Sequence, residues 1–246
     1  VLFAAYHYVT AGTGVPVDYW HMGFHMSGVI ILVFICYPMV KRSHSRELHL
    51  NTWWRYSNVP IWDWLLILAG VSSSLYVGIT WYEIDFELLG WRFFLPEQVL
   101  RQGDPAFIDV VFGTVLIAVL LEAVRRTLGF VVPIIILLFT AYAVFGQYMP
   151  LMILKHPGIN WAQYINNMYF PAEGIYGVTL WIVSTVVFHF VLFGVLAQRM
   201  GLGQFFVDVA TVMAGRYTGG LAKVSVVSSA FFGTISGSSI ANTVST

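Results

Sequence analysis

Charge is scarce in this sequence: of its 246 residues only 10% are Asp, Glu, Lys or Arg, against roughly 25% in soluble domains. Apolar residues take its place, with 58% hydrophobic, 17% aromatic and a mean hydropathy of +0.76. That balance excludes an ordinary soluble domain and implies an all-α integral membrane protein. Lys and Arg together number 12, as do Asp and Glu, so no net positive field exists to gather nucleic acid and no acidic excess to gather a basic partner. The one cysteine, Cys36, excludes an internal disulfide, and its place in an apolar run leaves the redox compartment open. There is no P-loop to support ATP drive, and neither GxSxG nor HExxH occurs. The first residue is Val1, with no basic stretch or cleavage site before the apolar run, and we read both ends as cut from a longer chain.

Runs long enough to span about 30 Å of hydrocarbon recur, and the loops between them alternate in charge. Residues 1–12 are too short to span and read as the end of a helix. Tyr19–Val40 is the first complete span. It runs into Lys41, Arg42, Arg46 and Arg55, set against the single Glu47, which makes that loop cytoplasmic. The next span is framed by Trp62 and Trp64 at one end and Trp81 and Tyr82 at the other. About 19 residues at about 1.5 Å each give ~28 Å, enough to seat the tryptophans in opposite interfacial belts. Asn58 and Pro60 supply cap and first-turn signals at its start. The loop from Glu83 to Asp104 carries five acids (Glu83, Asp85, Glu87, Glu97, Asp104) against Arg92 and Arg101, as an outer loop should. Asp104-Pro105 opens a third span that stops at Arg125 and Arg126, back on the cytoplasmic side. Residues 130–150 return outward with Pro133 near their start, and residues 154–177 form an outer connection with a surface helix. A fifth span, 175–199, ends inside at Arg199.

Beyond Arg199 the pattern changes. Residues 201–220 carry Asp208 and Arg216 between glycines, which suits a short helix near the cytoplasmic interface. The next run starts near Lys223, and the about thirteen residues from there to Ser236 cover only ~20 Å. That is short of the far side, so the helix is expected to break inside the bilayer. The closing stretch, "GTISGSSIANTVST" (residues 233–246), has no charge and no aromatic, but two Gly, four Ser and three Thr. Non-helical backbone at membrane depth survives only where protein buries it or where it lines a wet cavity. Glycines permit such a turn and hydroxyls satisfy backbone groups, as a re-entrant hairpin tip requires. A tip of this kind offers free carbonyls to a cation and a helix N-terminus to an anion. The competing reading is close helix packing alone, for which Ala230, Gly233, Gly237 and Ala241 have approximately the right spacing.

The run "GRYTGGLAKVSVVSSAFFGTISGSSIANTVST" (residues 215–246) resembles the first hairpin region of the large membrane subunit of tripartite ATP-independent periplasmic (TRAP) transporters. Residues 171–210 are similar to the segment preceding that hairpin. The resemblance is greatest to the TAXI-type permeases, in which small and large membrane subunits are one polypeptide. It implies three regions: 1–127 as small-subunit helices, 128–170 as connecting helix and outer loop, and 171–246 as the start of the large transport domain. It further implies an elevator-type, sodium-driven secondary transporter in a bacterial inner membrane, taking organic acids (carboxylates) from a periplasmic TAXI-type binding protein. Carried over by residue, the resemblance points to Ser236, Gly237 and Ser238 for Na⁺, with the carbonyls of Ser236 and Gly237 as ligands, and to Ser238, Ser239 and Asn242 for the carboxylate. No cofactor beyond the coupling Na⁺ is implied. The family's second, inverted hairpin is not within these residues.

Other residues invite chemistry. Asp18, His21 and His25 fall on one helical face with metal-ligand spacing, though without a fourth ligand. His189 lies inside a hydrophobic segment, either as a functional group or as a neutral ring bonded to a neighbouring helix. Glu122 with Arg125 and Arg126 reads as an interfacial ion pair. Glu173 suits a first helical turn or a contact with a periplasmic partner. Two rivals to a permease remain: a structural membrane scaffold, and an intramembrane enzyme using Ser238 or Ser239 as nucleophile. The enzyme needs a base, and the nearest histidine in sequence, His189, belongs to another helix.

Overall fold

The apolar runs fold as helices: α1 Leu2–Thr13, α2 Asp18–Cys36, α3 Ile61–Ile79, α4 Phe107–Leu128, α5 Val131–Phe145, α6 Trp161–Tyr169, α7 Val178–Ile182, α8 Phe188–Arg199, α9 Leu202–Ala214 and α10 Gly220–Ser236. The computed structural model describes residues 2–15, 17–39, 59–88, 91–170 and 174–236. Among them five helical segments are long and apolar enough to cross a membrane: Asp18–Cys36, Ile61–Ile79, Phe107–Leu128, Val131–Tyr148 and Val178–Arg199. These are the five spans expected from hydropathy, and the chain is an all-α integral membrane protein. The basic loop carrying Lys41, Arg42, Arg46, Glu47 and Arg55 lies outside the described residues, as does Glu173.

The chain divides into two compact units, Val15–Trp181 and Val1–Gly14 with Ile182–Thr246. In the first, α2 and α3 pack antiparallel, because small residues let their backbones meet. A Cβ on Gly23 would stand 2.7 Å from the Ser74 carbonyl oxygen, and one on Gly78 would stand 2.7 Å from the Trp20 Cα. Further along, Gly70 admits Ile30 from α2 and Val119 from α4, each 2.9 Å from the position its Cβ would take. Lipid gives helices no hydrophobic reason to associate, so close contact of this kind carries the packing. Ser74 Oγ donates to Gly23 O at 3.0 Å across the same crossing. The core at this junction contains Ile30, Phe34, Val77, Leu116 and Val119, all buried.

One expectation needs correction, and one loop carries more structure than its sequence suggested. The segment read as a surface helix is α6, and it is packed into the core: Tyr164, Ile165 and Tyr169 are buried, and a Cβ on Gly113 of α4 would stand 2.4 Å from Ile165 Cγ2. Its tyrosines look polar in sequence but bury their rings and send hydroxyls to partners, Tyr164 to Thr140 at 2.7 Å and Tyr169 to the Ser73 carbonyl at 2.5 Å. The acidic outer loop is also partly ordered as strand. β1 Ile84–Leu88 pairs antiparallel with β2 Trp91–Leu95, setting Asp85 against Phe94 and Glu87 against Arg92. Asp85 and Arg92 form a two-bond pair, Nε to Oδ1 at 2.9 Å and Nη2 to Oδ2 at 2.6 Å. Helix α4 begins at Phe107, slightly after the Asp104-Pro105 signal.

In the second unit, α1 packs on α8 and on a π-helical turn, Val183–Val187, that precedes α8. Helices α8, α9 and α10 pack on one another.

Candidate functional site

Everything that delivers the chain to its glycine–serine run is built in the second unit. Gly201 takes φ 88°, a left-handed conformation that lets the backbone turn from α8 directly into α9. The α9–α10 turn is equally tight: Gly219 has φ 72°, and a Cβ on Gly220 would stand 2.2 Å from Gly215 O. Phe206 of α9 and Phe231 of α10 stack with centroids 5.7 Å apart, and a Cβ on Gly203 would stand 3.2 Å from the Phe232 ring. Early residues of α9 therefore face late residues of α10, and the two helices form an antiparallel hairpin. Ala210, Ala214, Ser228 and Phe232 are buried in this unit.

That register fixes where the run begins. Ser236 follows Phe232 by about one helical turn, so the α10 backbone arrives beside the start of α9 and away from the 215–219 turn. The cations stay at that turn, where Arg216 and Lys223 each lie 5.5 Å from the Tyr217 ring centroid. Within α10, hydroxyls are used by their own helix: Ser228 Oγ donates to Ser225 O at 3.2 Å and Thr234 Oγ1 to Phe231 O at 2.7 Å. Of the expected site residues, Ser236 is helical backbone at the end of α10. Gly237, Ser238, Ser239 and Asn242 lie outside the described residues.

The buried charges are elsewhere, in the Val15–Trp181 unit. Arg101, 4% exposed, pairs through Nη1 with Oδ1 of Asp109, which is fully buried. Tyr76 Oη donates to the same carboxylate oxygen at 2.5 Å, the Ala106 N–H donates to Asp109 Oδ2 at 2.9 Å, and Arg101 Nε donates to Pro96 O at 2.9 Å. The Phe170 ring lies 5.4 Å from the guanidinium. A second pair joins Asp63, fully buried in the first turn of α3, to Arg126 near the end of α4, Nη1 to Oδ1 at 2.8 Å. The contact is ionic, without the angle of a hydrogen bond. Asp63 Oδ2 accepts the Met39 N–H at 3.0 Å, and Phe34 lies under the Arg126 guanidinium at 4.7 Å. Glu122 bridges Arg125 and Arg126 at 2.7 Å each, as its spacing predicted. Sequence reading missed the other two pairs. Their only signal was charge at or beside the ends of apolar helices.

These pairs tie their elements together, and each places its cation against a carboxylate of the same chain. The cavity of about 160 Å³ lined by Ile117, Leu120, Val124, Ile136, Tyr164 and Met168 has no charged wall. The same holds for one of about 410 Å³ between the end of α8 and the start of α9, lined by residues such as Phe193, Leu196, Met200 and Phe205. Among the described residues no group of three His, Cys, Asp or Glu is placed to hold a metal ion, so Asp18, His21 and His25 do not gather as ligands. His21 and His25 are buried in α2 instead.

Five helical segments long and apolar enough to cross a membrane define the class, a multi-pass membrane protein. Residues 115–246 match the family described as the tripartite ATP-independent periplasmic transporter, DctM component. The match covers more than half of the chain, which belongs to this family and is a TRAP transporter permease component. No curated protein and no solved structure matches the chain.

Proposed function

We propose that this chain forms part of a sodium-driven permease in a bacterial inner membrane that takes up organic acids handed over by a soluble periplasmic binding protein. The observation that carries the reading is a coincidence of position. The family match runs through Thr246, and the α9–α10 hairpin delivers the backbone straight into the glycine–serine run at Ser236. Carbonyls of Ser236 and Gly237, joined by Ser238, hold Na⁺; Ser238, Ser239 and Asn242 donate to the carboxylate. Neutral donors suit this task, because a carboxylate held by hydroxyl and amide groups beside Na⁺ is bound only when the ion is present.

Within this reading, residues 1–127 correspond to a small subunit fused through 128–170 to the transport region 171–246, as in TAXI-type permeases. The transport region moves as an elevator around a re-entrant tip. The interlocked ion pairs of the Val15–Trp181 unit favour a static role for that part. Uptake of a labelled carboxylate into proteoliposomes holding the intact protein tests the reading, with an imposed sodium gradient and the cognate binding protein outside. Uptake that needs both supports it. Uptake indifferent to sodium overturns the coupling, and uptake indifferent to the binding protein overturns the partner.

A further inference from the structure

Helix α9 carries two apolar faces, and its packing uses one. Gly203 and Phe206 lie against Phe232 and Phe231 of α10, with Ala210 and Ala214 buried on the same side. About a third of a turn away, Phe205, Val209, Val212 and Met213 recur at i, i+4, i+7 and i+8. Phe205, Val212 and Met213 are exposed, Val212 at 80%. Phe205 also lines the apolar groove of about 410 Å³ at the α8–α9 corner, so this stripe runs on into a cavity. The remaining side is polar: Gln204, Asp208 and Thr211 are exposed, with Gln204 Nε2 donating to Asp208 Oδ1 at 3.0 Å.

Cations bracket the helix. Arg199 ends a membrane-crossing segment just before α9 begins, and Arg216 follows soon after it ends. From Ile182 to Thr246 the chain carries Arg199, Arg216 and Lys223 against Asp208 alone. Arg216 and Lys223 both lie 5.5 Å from the Tyr217 ring centroid, and neither has a carboxylate partner among the described residues. Two like charges are thus gathered on one exposed ring, with Leu221, 91% exposed, between them in sequence. Such a turn calls for an anion and an apolar phase at once.

We propose that α9 and the 215–223 turn form a docking surface for anionic phospholipid, in the leaflet where the segment Val178–Arg199 ends. The stripe from Phe205 to Met213, with Leu221, enters the acyl layer; Tyr217 sits at headgroup depth, and Arg216 and Lys223 hold the phosphates. Gln204, Asp208 and Thr211 then face water. A helix standing upright in the bilayer would drag Asp208 into hydrocarbon. Cations at both ends of a helix about 20 Å long favour α9 lying along the interface. Helix α10 starts at the same depth through Lys223 and carries no charge from Val224 to Ser236. Charge selects the occupant: an apolar protein face would cover the stripe but leave both cations unanswered.

None of these residues belongs to the proposed sodium site, so failure of either proposal leaves the other standing. Two measurements on the intact protein, in phosphatidylcholine bilayers containing phosphatidylglycerol, test the surface. In a Cys36→Ser background, nitroxides on Phe205→Cys and on Val212→Cys should report equal depth in the acyl layer, by accessibility to oxygen against a water-soluble quencher. In an upright helix the two positions would differ by ~10 Å, and that difference overturns the proposal. A label shielded from both reagents also overturns it, because a second copy or another protein segment then covers the stripe. Photoactivatable phosphatidylglycerol should label residues 215–223 more strongly than the matching phosphatidylcholine. Arg216→Gln with Lys223→Gln should cut that preference roughly tenfold to thirtyfold, about fivefold per cation. Arg216→Lys with Lys223→Arg, which keeps both charges, should retain it. Equal labelling by the two lipids in the wild type, loss of preference in the charge-conserving variant, or displacement by inorganic phosphate as readily as by phosphatidylglycerol would each overturn the lipid assignment.

Discussion

At the scale of single residues, the interior of this membrane protein is organised by charges that sequence alone does not pair. Glu122 with Arg125 and Arg126 was legible because partners at i+3 and i+4 meet on any helix. Asp109 with Arg101, and Asp63 with Arg126, were not, since each pair joins different elements and only the folded chain brings them together. Within a buried pair the cost falls on whoever is left alone. Asp109→Ala strands the 4%-exposed Arg101 and should destabilise the protein by about 3–5 kcal/mol, read as a lower unfolding temperature in detergent. The double variant Arg101→Met with Asp109→Leu should recover most of that loss, because two apolar groups replace two charges. If Asp109→Ala unfolds at the wild-type temperature, the pair is not holding α4 to the 98–101 turn.

At the scale of elements, hydropathy gave all five spans, because a long apolar helix needs no partner to be recognised. It could not place α6, whose tyrosines and asparagines look solvated until their rings are buried against α4. Gly113→Val tests that packing. A Cβ already meets Ile165 at 2.4 Å, so the variant should lose roughly 1–3 kcal/mol, and exchange of the α6 amides should rise. No change in α6 protection would contradict the contact. The β1–β2 hairpin was hidden by its charges, although Ile84, Phe86 and Leu88 alternate with Asp85 and Glu87. Here pH gives a signed prediction. The Arg92 guanidinium bonded to Asp85 holds that carboxyl below its ordinary value, so the pair's contribution is complete above the unfolded carboxylate range, near pH 4, and is lost as pH falls through the lowered value. Amide protection of residues 84–95 should fall at acid pH in the wild type and show no such step in Asp85→Asn. The π turn at Val183–Val187 had no sequence signature, since no residue pattern distinguishes an i→i+5 turn inside an apolar helix.

At the scale of the whole molecule, the family was legible from Pro171 onward, where the glycine–serine vocabulary is unusual enough to identify. Fold class and transport role follow from that stretch together with the spans. Orientation rests on loop charge, and the structure sharpens its test. Gln98 is fully buried, whereas its neighbour Val99 is 55% exposed, so Val99 is the better cysteine probe of the Glu83–Asp104 loop. With Cys36→Ser as background, Ser45→Cys and Val99→Cys should be labelled by an impermeant thiol reagent from opposite sides. Labelling from one side would overturn the assignment. The central claim is that the run after α10 is a sodium and carboxylate site and not a packing seam. If backbone carbonyls hold Na⁺, as proposed, Gly237 should be more critical than the Ser236 side chain, and loss of the Asn242 amide should mainly weaken carboxylate recognition. The most direct measurement is reconstituted uptake by the intact Gly237→Val protein against sodium concentration, with membrane insertion checked in parallel. The account predicts normal insertion and no sodium-dependent uptake. Uptake with the wild-type sodium dependence would contradict it and leave the run as a device for close helix packing.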